Sequence, residues 1–249
     1  MLGSCLLNHT NIKLFLSLGI NALLKQLFKK EPIELGLLTE HLISEKNLCT
    51  VVKQLDGDEV DEDDDDVFSL SAFIQLNKNE DKPFIKLINK FLIRTARESG
   101  NKRMVQLLED ASQNKMLVLN ERFINLPAKL GVMSLQNLLD EAKSRRLEVD
   151  YFVFICKLLK AKESSVKKEN NKRAKSSTDE NDMIYLNSED EVFADNAIEK
   201  YEFKITDDNS DLTVNQNWKS GQQFTPYRKV LLLNQTALSI SLKKLKEAE

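Results

Sequence analysis

Cysteine is scarce in this chain: Cys5, Cys49 and Cys156 stand alone among 249 residues, with no Cys-x-x-Cys pair. An odd number at such spacing fits buried free thiols in a reducing compartment better than a disulfide framework. Histidine is scarcer still. His9 and His41 share no metal-ligand spacing with each other or with the cysteines, which argues against a structural zinc site. Only 7 glycines and 4 prolines argue against a loop-rich or fibrous protein. No window supplies the roughly 20 uninterrupted apolar residues of a membrane-spanning helix. Met1 to Leu24 is apolar, yet Asn8, His9, Asn11 and Lys13 interrupt it and no basic segment precedes it, unlike a secretory leader. A soluble intracellular protein is expected, in which the sequon-like Asn8-His9-Thr10 and Asn234-Gln235-Thr236 carry no weight.

What is present suffices for a packed core: 41% of residues are hydrophobic and 30% charged. The length allows one sizeable α/β domain or two small ones. The net charge of -3 conceals separated blocks of opposite sign. Such segregation says more about partners than the net value does.

Apolar spacing predicts a helix over Ile12 to Phe28, broken by Pro32, and a second over Ile33 to Ser44. Leu48 to Leu55 and Val67 to Leu76 read as strands of an antiparallel hairpin whose tip, 56–66, is almost entirely carboxylate. Pro83 suits the first turn of a helix carrying Phe84, Leu87, Ile88, Phe91 and Leu92, and Gly100 ends it. Met104 to Ala111 forms another helix, and Met116 to Leu119 a short buried strand. A helix follows Pro127 and runs to about Arg146. Val149 to Leu159 holds the densest apolar run, suited to a central strand in which Tyr151, Phe152 and Phe154 are core. The polar, lysine-rich stretch 163–182 lacks any apolar period and is expected to be a disordered linker. Beyond it, Met183 to Leu186 is a strand. Ser188 would N-cap a short helix with Glu191 as its capping-box partner. Tyr201 to Ile205 and Arg228 to Leu233 are strands, and Leu238, Leu242 and Leu245 mark a last helix. Strands interleaved with helices imply one α/β or α+β sheet, which the segments after the linker complete.

Three features bear on function. Asp58, Glu59, Asp61, Glu62, Asp63, Asp64, Asp65 and Asp66 repel one another and hold counter-ions that a basic partner would release. A solvated tip that only keeps the chain soluble accounts for such a run as well. The run is no EF-hand: counted from Asp61, the sixth place is Asp66 rather than glycine and the twelfth is Ala72 rather than glutamate. Lys167, Lys168, Lys172, Arg173 and Lys175 have the spacing of a nuclear localisation signal. No aromatic residues interleave with them to stack on bases, so direct nucleic-acid binding is not expected. Trp218 follows a polar stretch and serves either as a partner's anchor or as a plug at the end of the sheet.

The segments Leu24-Lys25-Gln26-Leu27-Phe28 with Pro32, Val51-Val52-Lys53-Gln54 and Val67-Phe68-Ser69 around an acidic loop, and Leu119-Asn120-Glu121-Arg122-Phe123-Ile124-Asn125-Leu126-Pro127 occur in the order of one known family. Glu189-Asp190-Glu191 with Phe193, and Thr225-Pro226-Tyr227-Arg228 before Val230-Leu231-Leu232, continue it. Over roughly residues 22 to 246 the chain resembles BCCIP proteins. Family members usually open with an acidic tail and a strand of alternating aromatic residues, and Met1 to Ile20 shows neither. Residues 1–20 are therefore set apart from a BCCIP-like domain over 21–249.

The resemblance implies a single acetyltransferase-like domain with a mixed, mostly antiparallel sheet flanked by helices. It also implies nuclear residence with passage to the cytoplasm, import and export machinery as partners, and a chaperone role for a basic ribosomal protein of the large subunit. In animal members it adds a recombination mediator and a cyclin-kinase inhibitor. Catalytic equipment is not expected. An acetyl-CoA site in that fold needs an Arg/Gln-x-x-Gly-x-Gly/Ala loop at a helix N-terminus, and Gly131 and Gly221 are followed by Val-Met-Ser and Gln-Gln-Phe. No Gly-x-Ser-x-Gly elbow, P-loop or dinucleotide fingerprint occurs. Glu121 is expected to cap a helix or pair with Arg122 rather than act as a base. The expectation is a non-enzymatic scaffold with no cofactor and no metal.

Overall fold

The computed structural model describes residues 9–44, 48–53, 67–77, 81–161, 183–205 and 224–247. Its elements are α1 (His9–Phe28), α2 (Leu35–Ile43), β1 (Leu48–Lys53), β2 (Val67–Gln75), α3 (Pro83–Glu98), α4 (Lys102–Glu109) and β3 (Lys115–Arg122). They continue with α5 (Ala128–Ser144), β4 (Tyr151–Ala161), β5 (Met183–Tyr185), α6 (Glu189–Asn196), β6 (Glu199–Lys204), β7 (Phe224–Leu233) and α7 (Gln235–Glu247). Among the described residues no helix is long and apolar enough to cross a membrane.

Among the described residues the sheet has seven strands in the order β1-β2-β3-β4-β7-β6, with β5 also paired to β4. Among these strands β3 and β4 run parallel and the other pairs are antiparallel. Strand β4, richest in apolar residues, is central as its sequence predicts. Strand β7, which follows the 162–182 segment, pairs along β4 from Phe152↔Leu233 to Ala161↔Phe224.

Side chains alternate across a strand, so each sheet face carries its own core. On one face Leu117, Leu119, Val153, Ile155, Val230 and Leu232 meet α1, α2 and α3. On the other, Met116, Val118, Phe152, Phe154, Leu231 and Leu233 meet α5, α6 and α7. Phe193 of α6 stacks on Phe154 with centroids 4.8 Å apart.

Local chemistry sets the helix ends. Pro83 opens α3, where its missing N–H is not needed. Gly100 follows it in the left-handed region at φ 75°, and Asn101 N–H reaches back to the Ala96 carbonyl. Asn101 then caps α4 by accepting from Met104 N–H at 2.9 Å. Arg228 donates to the Gln26 and Leu27 carbonyls at 2.6 and 3.0 Å, closing the C-terminus of α1.

Several expectations need correction. Ser188 is itself helical (φ -62°, ψ -30°) and makes no capping bond to the helix, so the Ser188–Glu191 capping box does not form. Strand β3 continues past Leu119 to Arg122, because Asn120, Glu121 and Arg122 find buried partners. Strand β7 begins at Phe224 rather than Arg228. Pro226 is tolerated there because its carbonyl, and hence its missing N–H, faces Ile205, just past the last β6–β7 pair, Lys204↔Tyr227. Cys156 is buried and free, whereas Cys49 is free but only partly buried. Cys5 lies outside the described residues.

Candidate functional site

The parallel ladder of β3 and β4 runs from Lys115↔Tyr151 to Val118↔Phe154. Farther along, β4 pairs with β5 instead, Leu158↔Tyr185 to Lys160↔Met183. In open α/β sheets the crevice at the carboxyl ends of diverging parallel strands is where ligands bind. Here the chain's own residues occupy it. The Leu186 N–H donates to the Lys157 carbonyl at 3.0 Å, and the Asn187 amide donates to the Asn120 carbonyl at 2.9 Å.

Charged side chains fill the same place from both faces. Continuing the strand register brings Glu121 opposite Lys157, and the two form a buried ion pair. This corrects the expectation that Glu121 caps a helix or pairs with Arg122: its partner is Lys157 on the neighbouring strand. On the opposite face Arg122 forks onto Glu189 of α6, Nε to Oε1 at 3.2 Å and Nη2 to Oε2 at 2.7 Å. Glu189 Oε1 also accepts from the Asn120 amide at 3.0 Å. The third Arg122 nitrogen donates to the Leu126 carbonyl at 2.7 Å. Gly131 of α5 lies against this network: a Cβ there would sit 3.0 Å from Glu189 Oε1 and 3.1 Å from Asn120 Oδ1.

Two groups beside the network are held away from their ordinary ionisation. Burial, with the Glu189 and Glu121 charges next, pushes the Asp190 carboxyl well above the usual range. Burial, with Asp190 next, likewise raises the Cys156 thiol. A third group, the Lys229 ammonium, is lowered by burial; it lies 3.0 Å from the Tyr185 hydroxyl and 3.8 Å from Glu202. Two internal ion pairs, Glu121–Lys157 and Arg122–Glu189, thus tie the described parts of the crevice together.

The acidic residues Asp58, Glu59 and Asp61 to Asp66, the basic Lys167, Lys168, Lys172, Arg173 and Lys175, and Trp218 all lie outside the described residues. Their points of attachment do not. Lys53 pairs with Val67 near the Ser69↔Arg122 end of β2, the end at which β3 and β4 terminate. Ala161 leaves that end opposite Phe224, Met183 returns opposite Lys160, and Lys204 stands opposite Tyr227. The chain therefore enters and leaves 54–66, 162–182 and 206–223 from one end of the sheet. Sequence reasoning missed Lys157, Glu189 and Asp190 as a cluster. The available signal was a lysine inside the apolar run Phe152 to Leu159.

Comparison with known proteins gives a consistent result. The crystal structure of BCP1 from Saccharomyces cerevisiae superposes with a TM-score of 0.60 at 17% identity, covering 91% of this chain and 80% of that one, a likeness of fold. "BRCA2 and CDKN1A-interacting protein" of Bos taurus is 30% identical over 245 residues, 92% of this chain and 78% of its own length. "Protein BCCIP homolog" of Drosophila melanogaster is 27% identical over 231 residues, 86% and 74% of the two chains. "Protein bcp1" of Aspergillus fumigatus is 28% identical over 194 residues, 72% and 64%. The sequence model of the BCCIP family matches residues 16–193, more than half of the chain. The chain belongs to the BCCIP family.

Proposed function

We propose that this protein is a nuclear, non-enzymatic chaperone and export adaptor that shields a basic ribosomal protein of the large subunit. The observation that carries the reading is the shared end of the sheet. The acidic run is tethered there at Lys53 and Val67, beside a crevice filled by Glu121–Lys157 and Arg122–Glu189. An acetyltransferase-like scaffold whose crevice is filled in this way serves as a rigid support rather than as a coenzyme site. The carboxylates of 56–66 hold counter-ions, and a lysine- and arginine-rich surface gains free energy by releasing them. Covering that surface keeps it from RNA until delivery. Lys167, Lys168, Lys172, Arg173 and Lys175 serve as the import signal.

The test is binding of purified large-subunit ribosomal proteins between about 50 and 300 mM salt. Affinity for the client should fall steeply with salt, and neutralising Asp61 to Asp66 should flatten that dependence. Unchanged binding after neutralisation overturns the role of the loop.

A second reading is a recombination and cell-cycle scaffold. It is favoured by the name of the mammalian relatives, which states interaction with BRCA2 and CDKN1A. Binding that tolerates salt but fails on changing Trp218 would support it. Calorimetry with acetyl-CoA separates both from a catalyst, since measurable coenzyme binding would revive the acetyltransferase.

A further inference from the structure

We propose that the outer face of α3 is a docking surface for the phosphate backbone of a nucleic-acid duplex, with Lys86, Lys90, Arg94 and Arg97 as its contacts. From Lys82 to Arg103 the chain carries seven cations and one anion, Glu98, although its net charge is -3. At about 100° of turn and about 1.5 Å of rise per residue, the four contacts fall within an arc of about 80° along about 16 Å of one helix. Each stands three or four positions from the next, so the row is continuous along the helix surface. Phe84, Ile88, Phe91, Leu92 and Thr95 on the other side of α3 are buried, which turns the row outward.

The row keeps uncompensated charge. Lys86 and Lys90 are exposed and have no hydrogen-bond or ion-pair partner among the described residues. Arg94 is braced by Glu31 at 2.6 Å and Glu98 at 3.2 Å, and Arg97 by Glu109, yet the two arginine side chains stay 43% and 62% exposed. A guanidinium already held surrenders less freedom when a phosphate meets it. Lys82 lies outside the row, its Nζ 2.7 Å from His41 Nδ1. Glu98 and the three carboxylates that pair from other elements, Glu31, Glu109 and Glu199, leave the seven cations in excess by three. Carboxylates more than the ~8 Å screening length of physiological salt away do not cancel that excess.

What the face lacks identifies the occupant. The exposed large apolar side chains among the described residues are Leu18, Leu37, Ile124, Met133, Ile198 and Ile240, and none lies between 82 and 103. A protein partner gathers around a desolvated apolar centre, and a membrane-surface helix sinks an apolar face that α3 has already buried. A phosphate backbone needs only cations. The aromatic rings of this stretch, Phe84 and Phe91, are buried, so the bases of a single strand find no stacking platform. A duplex keeps its bases stacked inside and its phosphates outside, and needs none. The want of stacking aromatics that sets nucleic-acid binding aside for the 167–175 block therefore bears on single strands alone. The row packs on the α1 and α2 side of the sheet, and its role does not depend on the basic-client reading.

The experiment measures binding of an RNA duplex and a DNA duplex of one sequence, the matching single strand, a glutamate peptide and phosphatidylserine vesicles between about 20 and 200 mM salt. Each is titrated with the full chain, the Lys86→Gln Lys90→Gln pair, a chain with Lys167, Lys168, Lys172, Arg173 and Lys175 changed to Gln, and the two sets combined. With the 167–175 cations neutralised, the duplexes should still bind, log affinity falling against log salt with a slope of about -2 to -4. Adding Lys86→Gln and Lys90→Gln should make that slope shallower by about 2 and weaken binding at least about 10-fold at ~50 mM salt, with the thermal midpoint unchanged. Row-dependent binding of either duplex supports the proposal, and the tighter of the two names the source. Duplex binding that vanishes with the 167–175 block and ignores Lys86 and Lys90 overturns it, leaving the row a solvated face. Row-dependent binding that is tighter to the single strand, the glutamate peptide or the vesicles than to the duplexes also overturns it, in favour of that partner.

Discussion

Arg122 and Glu189 stand 67 positions apart in sequence and meet as a two-pronged, buried ion pair, Nη2 to Oε2 at 2.7 Å and Nε to Oε1 at 3.2 Å. The contact joins β3 to α6, elements on opposite sides of the lysine-rich 162–182 segment. A buried pair of this kind is a weak source of net stability, because desolvating two charges offsets much of their attraction. Its value is positional. It fixes where α6 and the loop after β3 sit.

Removing one partner should therefore hurt more than removing both. Glu189→Gln leaves a buried guanidinium without its counter-charge and should cost about 3–5 kcal/mol. Arg122→Met combined with Glu189→Leu should cost much less than the sum of the two single changes. Urea denaturation of the two single variants and the double variant, compared as a cycle, checks this.

Gly131 and Gly36 should respond oppositely to alanine. A methyl on Gly131 enters the space between Glu189 Oε1 and Asn120 Oδ1, at 3.0 and 3.1 Å. Strain in that network should outweigh the better helix propensity, for a net loss of about 1–2 kcal/mol. Gly36 has nothing within 4 Å of the added carbon, so Gly36→Ala should gain up to about 1 kcal/mol. Thermal melts of the two variants decide it.

Asp190 makes stability depend on pH in an uncommon direction for a carboxylate. Its folded pKa is raised, so the native state holds a proton that the unfolded chain gives up near pH ~3.9. The associated stability is complete below that unfolded value and declines as pH rises through the folded one. Asp190→Asn should match the parent in acid, become the more stable of the two as pH climbs, and show a flatter profile. Denaturant midpoints measured from about pH 4 to 8 test this.

Arg146 closes α5 in the left-handed region at φ 54°, with the Leu147 N–H returning to the Ala142 carbonyl. A side chain there costs about 1–2 kcal/mol, part of which glycine regains against its greater freedom when unfolded. Arg146→Gly should raise the melting temperature by roughly 2–4 °C.

Much of the architecture is legible in local sequence pattern. Pro83 and Gly100 bracket α3 by their own backbone restrictions, and Tyr151 to Leu159 is apolar enough that only a central strand suits it. The Ser188 cap failed because α6 already starts in a helical turn there, so its entry is set by Asn187 and Glu189 contacts rather than by a capping hydroxyl. Strand β3 outruns its apolar pattern, Met116 to Leu119, although a polar triplet normally ends a strand. Asn120, Glu121 and Arg122 continue it only because each finds a buried partner.

The acidic and basic blocks are properties of residue order along the chain. So is the sheet's inventory, since alternation and helical period are local and each element carries its own pattern. That Glu121 would face Lys157, Arg122 face Glu189, and all three charged or polar intervening segments leave from one end depends on which strands became neighbours. Such pairings join residues far apart along the chain, and no short-range pattern encodes them. Packing on both faces of β3 and β4 chose them.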